Sequence, residues 1–170
     1  TSRGLGDVYK RQLRYPVGKL HEDEFTTYLA VYRAGKVVVT REALYAYYQN
    51  PVGIMLSKWT PRKLHILEAT ENQIAFARET GNLRLLKKAV RQYIYSTYEQ
   101  VGFAKQWDDP GRGRLLKILR KKLREGLRQG KDFDLFPLCR ERSWMYEEAY
   151  PVKPFWWLYG KLHRGGERQE

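Results

Sequence analysis

Gly18-Lys19-Leu20-His21-Glu22-Asp23-Glu24-Phe25-Thr26-Thr27-Tyr28 sets a glycine turn ahead of three consecutive carboxylates and an apolar-periodic run. Acidic side chains are favoured at a helix N-terminus, where unpaired backbone N–H groups and the helix dipole meet them. The spacing predicts a helix from about Glu22 to Ala34, with Phe25, Tyr28, Leu29 and Tyr32 on one face and Gly35 as its stop. Two readings of the triplet compete. Helix capping alone accounts for it; alternatively, one carboxylate faces a cleft and takes a proton from an attacking hydroxyl.

Upstream, Leu13 to Leu20 carries the turn residues Pro16 and Gly18. Downstream, Lys36-Val37-Val38-Val39-Thr40 is short and β-branched, which predicts a buried strand, with Leu44 to Tyr48 as a second extended piece. Asn50-Pro51 turns the chain. Thr60-Pro61 opens a helix that carries Leu64, Leu67, Ile74 and Phe76 and stops at Gly81-Asn82. The next helix begins at about Leu83 and reaches Phe103 or Trp107. Gly111-Arg112-Gly113 interrupts the chain before a basic helix from about Arg114 to Gln129. Two further apolar stretches follow, around Phe133 to Tyr150 and Pro154 to His163. No internal repeat is present, and the fold class expected is α+β, helix-rich, with one short strand region.

At 170 residues the chain has room for one compact domain or part of a larger protein. Hydrophobic residues make up 42% of it and aromatic residues 14%, too many for a disordered chain, so it buries a core. The net charge of +13 points to an anionic partner: nucleic acid, anionic lipid or a phosphorylated substrate. A single cysteine, Cys139, excludes a disulfide framework and any multi-cysteine zinc site. No apolar run approaches the roughly 20 residues of a membrane-spanning helix.

Tyr15-Pro-Val-Gly-Lys-Leu-His-Glu-Asp-Glu-Phe-Thr-Thr-Tyr28, followed by Val37 to Thr40 and by Leu44-Tyr-Ala-Tyr-Tyr-Gln-Asn-Pro-Val-Gly-Ile-Met55, resembles the family 2 glycosyltransferases of bacterial surface polysaccharide synthesis. The likeness runs from Leu13 to about Arg78. It implies the C-terminal part of a GT-A, Rossmann-like catalytic domain over residues 13–59, then a helical basic extension over 60–170. It also implies inverting transfer of a sugar from a nucleotide-diphosphate donor to a saccharide or lipid-linked acceptor. By that match Asp23 is the base that activates the acceptor hydroxyl, Glu22 is its motif partner, and Glu24, His21, Tyr48 and Gln49 are acceptor-side or cleft candidates. His21 reads equally well as a solvated turn histidine. The chain departs from the family pattern at Ala43, Tyr48 and Gly53, where proline, arginine and serine are usual.

The family also implies a divalent metal, Mg or Mn, held by an Asp-x-Asp at a strand end in the donor-binding half, where it would neutralise the diphosphate leaving group. Asp132-Phe133-Asp134 has the spacing but follows a basic helix, and reads as loop or helix-cap acids. Asp108-Asp109 before Pro110 reads as a turn. No metal ligands are therefore expected in this chain, and the donor site is expected to lie mostly outside it.

From Arg112 to Lys131 the chain carries nine Lys and Arg residues against Glu125 alone, with Leu115, Ile118, Leu119, Leu123 and Leu127 at helical spacing. A solvated face, a nucleic-acid patch and an anionic membrane surface are the three readings. The family resemblance favours the membrane, with Arg120, Lys121, Arg124, Trp156 and Trp157 as surface candidates, and a cytoplasmic location or a peripheral one on the inner face of the cell membrane. The competing function is a helical nucleic-acid-binding module without enzymatic activity.

Ser2 to Gln12, SRGLGDVYKRQ, matches codon for codon a translated transposase sequencing adapter. Residues 1–12 are accordingly read as non-native, the rest as a C-terminal fragment that would be inactive without its donor-binding half. Setting those residues aside leaves the chain strongly basic.

Overall fold

The computed structural model describes residues 13–46, 48, 53, 57–133, 135 and 140–151, with backbone only at 140–143. Its helices are α1 (Glu22–Arg33), a 3-10 turn (Pro61–Leu64) running into α2 (His65–Glu79), α3 (Leu83–Lys105), α4 (Arg112–Lys131) and α5 (Arg140–Ala149). The chain divides into two compact units between Tyr93 and Ile94, within α3.

In the first unit α1 packs on α2. Leu20 N–H donates to His65 Nδ1 (3.0 Å), Gln73 Nε2 donates to the Glu24 carbonyl (2.8 Å), and Tyr28 and Tyr32 set their rings edge-on against Phe76. Residue numbers rise together along both helices, so α1 and α2 run parallel. Parallel helices cannot be joined by a tight turn, and residues 34–60 supply the return. The core consists of Ile66, Leu67, Ala69, Ile74 and Ala77 with Ala89, Val90 and Tyr93. Buried Thr70 satisfies its hydroxyl on the carbonyls of Ile66 and Leu67, one turn back in its own helix.

The α2–α3 corner follows from local chemistry. Gly81 adopts φ +65°, its N–H bonds to the Arg78 carbonyl, and Asn82 N–H bonds to that of Ala77, the paired C-terminal closure that favours glycine. Asn82 then caps α3, its Oδ1 accepting the Leu85 N–H at 3.0 Å. Thr60 stands in the N-cap position and Pro61 in the first helical one, as expected, but the Thr60 hydroxyl makes no cap bond and the first turn is 3-10.

Among the described residues no strand forms, which corrects the expected strand region of an α+β fold. Residues 34–40 lie outside any ladder and are exposed, Val39 at 89%. Leu44 N–H bonds locally to the Glu42 carbonyl, and residues 43–46 likewise lie outside any ladder. A β-branched run becomes a strand only where another edge supplies hydrogen bonds and a face to pack on.

The second unit takes its core from Ile94, Val101 and Ala104 of α3, Leu119, Leu123 and Leu127 of α4, and Met145 and Ala149 of α5. Glu148 of α5 accepts from Arg120 of α4 (2.9 Å) and pairs with Lys105 at the end of α3, so one carboxylate ties three helices. Arg124 Nη1 donates to the Ala149 carbonyl at 2.7 Å, closing the C-terminus of α5, and its guanidinium lies 5.7 Å from the centre of the Tyr150 ring.

His65 offers a test of the first unit. Burial, then Lys19, Arg62 and His21, hold its imidazole below the ordinary value against the opposing pull of Glu68, and an Nδ1 that accepts Leu20 N–H must be unprotonated. The unfolded chain therefore takes up the proton first, so stability is full above the ordinary histidine value and falls as pH drops through it. Urea unfolding of the wild type is expected to weaken between about pH 7.5 and 5.5, and His65→Gln is expected to flatten that slope. An unchanged slope in the variant would place its origin elsewhere.

Candidate functional site

α1, the C-terminal half of α2 and the start of α3 enclose a groove of about 530 Å³ in the first unit. Its acidic end holds Asp23 and Glu24 in the first turn of α1. Tyr28, Val31 and Tyr32 continue the wall at helical spacing, with Leu85 of α3 joining them. Gln73 and Asn82 add amide groups, and Arg84 and Lys88 bring two cations.

Local geometry explains how α1 presents its carboxylates. His21 adopts the left-handed conformation (φ 59°, ψ 41°), unusual for a residue with a Cβ, and turns the chain sharply into the helix. Glu24 N–H bonds to the His21 carbonyl (3.1 Å) and to Asp23 Oδ1 (3.0 Å). Asp23 thus spends one carboxylate oxygen on the helix start, and its other oxygen has no hydrogen bond among the described residues. Glu24 is engaged differently, its Oε2 accepting from Gln73 Nε2 at 3.1 Å. Burial raises the Tyr28 phenol above its ordinary value, so it stays a neutral hydrogen-bonding group.

The residues singled out from sequence separate here. Asp23 and Glu24 line the groove; Glu22 is exposed at the first position of α1, and His21 is the half-buried residue before it. Tyr48 is 85% exposed and does not line the groove; Gln49 lies outside the described residues. Gln73, Arg84 and Lys88 were not anticipated. The only local signal was a pair of cations one turn apart at the start of a helix, where the dipole favours acids.

In the second unit the basic helix splits into two faces. Arg120 and Arg124 are half-buried and bonded to α5, while Lys131 Nζ sits 6.0 Å from the Tyr146 ring centre. Arg114, Lys117, Lys121 and Arg128 are exposed on the adjoining, solvent side with Ile118 at 47%, although Ile118 was expected in the apolar stripe. Among the described residues Lys121 pairs with Glu125 alone, at 3.9 Å. Trp156 and Trp157 lie outside the described residues.

No group of three or more His, Cys, Asp or Glu side chains able to hold a metal occurs among the described residues. Asp109 Oδ1 accepts the Gly111 N–H at 2.7 Å in a turn, and Asp132 ends α4. The implied Mg or Mn finds no ligand set among these groups. No described helix is long and apolar enough to cross a membrane.

Comparison of the chain with known protein families, with characterised proteins and with solved structures gives no match. Residue chemistry and geometry carry the functional reading.

Proposed function

We propose that this chain carries the acceptor side of a family 2 inverting glycosyltransferase, of GT-A origin, with Asp23 as the general base. The observation that supports this is the position of Asp23 in a groove that combines a carboxylate oxygen free of hydrogen bonds among the described residues with tyrosine rings and amide groups, the usual partners of sugar faces and hydroxyls. In the reaction an acceptor hydroxyl oxygen forms a bond to the donor's anomeric carbon from the side opposite the leaving nucleotide diphosphate. The bond to that diphosphate breaks, and the hydroxyl proton passes to Asp23. Glu24 and Gln73 brace each other at the same end of the groove and orient the acceptor. The donor and its Mg or Mn belong to a Rossmann-like half that this reading places outside these residues. The test is the Asp23 substitution argued in the Discussion, together with a search of the upstream reading frame for that half.

The outer face of α4 supports a peripheral position on an anionic membrane surface, consistent with a lipid-linked acceptor and a cytoplasmic location. Arg114, Lys117, Lys121 and Arg128 form a stripe about 21 Å long. With the apolar face of α4 buried, this contact is electrostatic adsorption rather than insertion. Binding to phosphatidylglycerol vesicles, and not to phosphatidylcholine ones, is expected in co-sedimentation. It should weaken with salt and fall about tenfold or more in a Lys121→Gln/Arg128→Gln double variant. The same stripe favours the second reading, a nucleic-acid-binding module. Tighter, salt-sensitive binding to duplex DNA than to anionic vesicles would select that reading.

A further inference from the structure

The groove is electrically polarised, and its cationic side does no visible structural work. Arg84 and Lys88 stand one turn apart on α3, both exposed, and neither makes a hydrogen bond or ion pair among the described residues. The first turn of α3 contains no acid. Arg84, in that first turn, opposes the helix dipole, a small cost to stability that an acid at the same position would turn into a gain. Asn82 already satisfies the helix start, so capping does not explain them. Two cations of the first unit do find partners, Lys19 on Glu68 at 2.5 Å and Lys63 on the Ser57 carbonyl, whereas exposed ones such as Arg33 and Lys87 have none among the described residues; what distinguishes Arg84 and Lys88 is that they line the groove.

Position within the groove gives the two cations a direction. α1 advances from Asp23 to Tyr32 over about 13 Å, with the aromatic rings between. The α2–α3 corner brings Asn82 and Arg84 to the end of α2 that Phe76, and therefore Tyr32, occupies. A ligand reaching from the carboxylate at Asp23 to Arg84 must be longer than one sugar ring, and must put an oxyanion where Arg84, with Lys88 one turn along the same helix, can meet it. Such a ligand also keeps its own negative charge away from Asp23 and Glu24, which would repel it.

We propose that Arg84 and Lys88 select an anionic oligosaccharide as the acceptor, binding a carboxylate or phosphate group carried by a sugar distal to the one that Asp23 activates. This rests on the acceptor-side reading and adds the substrate class. Arg84 offers a planar fork to either oxyanion and Lys88 a point charge, and charge-assisted bonds of this kind are stronger than those between neutral groups.

The experiment is isothermal titration calorimetry of the full chain with four probes: a tetragalacturonate, a phosphorylated mannose oligosaccharide, a neutral chitotetraose and inorganic phosphate. The expected result is that one or both anionic oligosaccharides bind about tenfold or more tightly than the neutral one. That preference should be lost in Arg84→Gln/Lys88→Gln and kept in Lys121→Gln/Arg128→Gln, which removes the same charge from the second unit. The carboxylate and phosphate arms identify which oxyanion is read. Equal binding of neutral and anionic oligosaccharides overturns this inference while leaving the acceptor-side reading standing. So does inorganic phosphate binding as tightly as the oligosaccharides, or equal weakening by both double variants. If no oligosaccharide binds at all, the acceptor-side reading fails and the inference falls with it. Circular dichroism of each variant verifies its fold, and both substituted pairs are exposed.

Discussion

Under the proposed acceptor-side reading, Asp23→Asn, made in the chain joined to the proposed donor-binding half, is expected to lower turnover by about 10²-fold to 10⁴-fold, the usual cost of removing a general base. Asparagine keeps the size of the side chain and an oxygen that can still accept the Glu24 N–H. Only the proton acceptor is lost. Nucleotide-sugar affinity is expected to stay unchanged, because the proposed donor site lies elsewhere. Glu24→Gln should cost less: Glu24 is bonded to Gln73 and its replacement perturbs orientation more than proton transfer. A role confined to the helix start predicts a different pattern, a stability loss of about 0.3–1 kcal/mol from either substitution with turnover intact. Sugar transfer and donor binding measured side by side separate the two. This chain on its own is expected to transfer no sugar. A normal turnover in Asp23→Asn, or transfer by this chain alone, would sink the assignment.

Glu148→Gln is expected to destabilise the second unit by about 2–3 kcal/mol, since hydrogen bonds to charged groups are the costly ones to lose. The Glu148 side chain is only 14% exposed and serves Lys105 and Arg120 at once. Glutamine accepts one of those bonds without compensating either charge. Burial pushes the Glu148 carboxyl up, but the bonds and charges of Lys105 and Arg120 outweigh it and hold the group below its ordinary value. The folded state therefore binds the proton less readily than the unfolded chain. The stabilisation is present above the ordinary glutamate range and is lost as pH falls through the depressed value. Urea unfolding at neutral pH should show the full loss in Glu148→Gln, and acidification should narrow the gap to wild type. Lys121→Gln, which breaks the exposed pair with Glu125, is expected to cost under about 0.5 kcal/mol. Equal losses from both substitutions would refute the three-helix tie.

The acid limbs of the two units are distinguishable because their groups titrate in different ranges. His65 responds in the histidine range and Glu148 below the ordinary glutamate one. Loss of structure on mild acidification should begin with the Leu20–His65 contact, and deeper acidification should add loss of the Glu148 tie.

Helix positions were legible wherever local chemistry decides them. Gly81-Asn82 stops one helix and starts the next because glycine takes positive φ at no steric cost and asparagine offers an acceptor to the following turn. The acidic triplet marks the start of α1, and the 3.6-residue period located Leu67, Ile74, Leu119, Leu123 and Leu127 inside. The strand over Val37 to Thr40 was misread for the complementary reason: β propensity expresses a fit to neighbours, and a five-residue run carries no information about whether an edge is there to receive it. Ile118 was misplaced because an apolar residue on a basic helix looks the same whether it faces the core or solvent.

What the sequence by itself determined is thus the helices α1 to α4, the corner between α2 and α3 and the candidacy of Asp23, all properties of residues within a turn or two of one another, together with the strong positive charge. The helix α5 within the apolar stretch Phe133 to Tyr150 was not read from it. Tertiary structure alone decided the rest. Gln73 reaches Glu24 from 49 positions away and Arg120 reaches Glu148 from 28. Only the parallel packing of α1 on α2 assembles the groove with Arg84 and Lys88, and only the docking of α5 divides the basic helix into bonded arginines and an exposed stripe. The physical reason is that a charge or an apolar side chain acquires its role from the dielectric and the partners around it, and those come from chain segments too far apart for any local pattern to record.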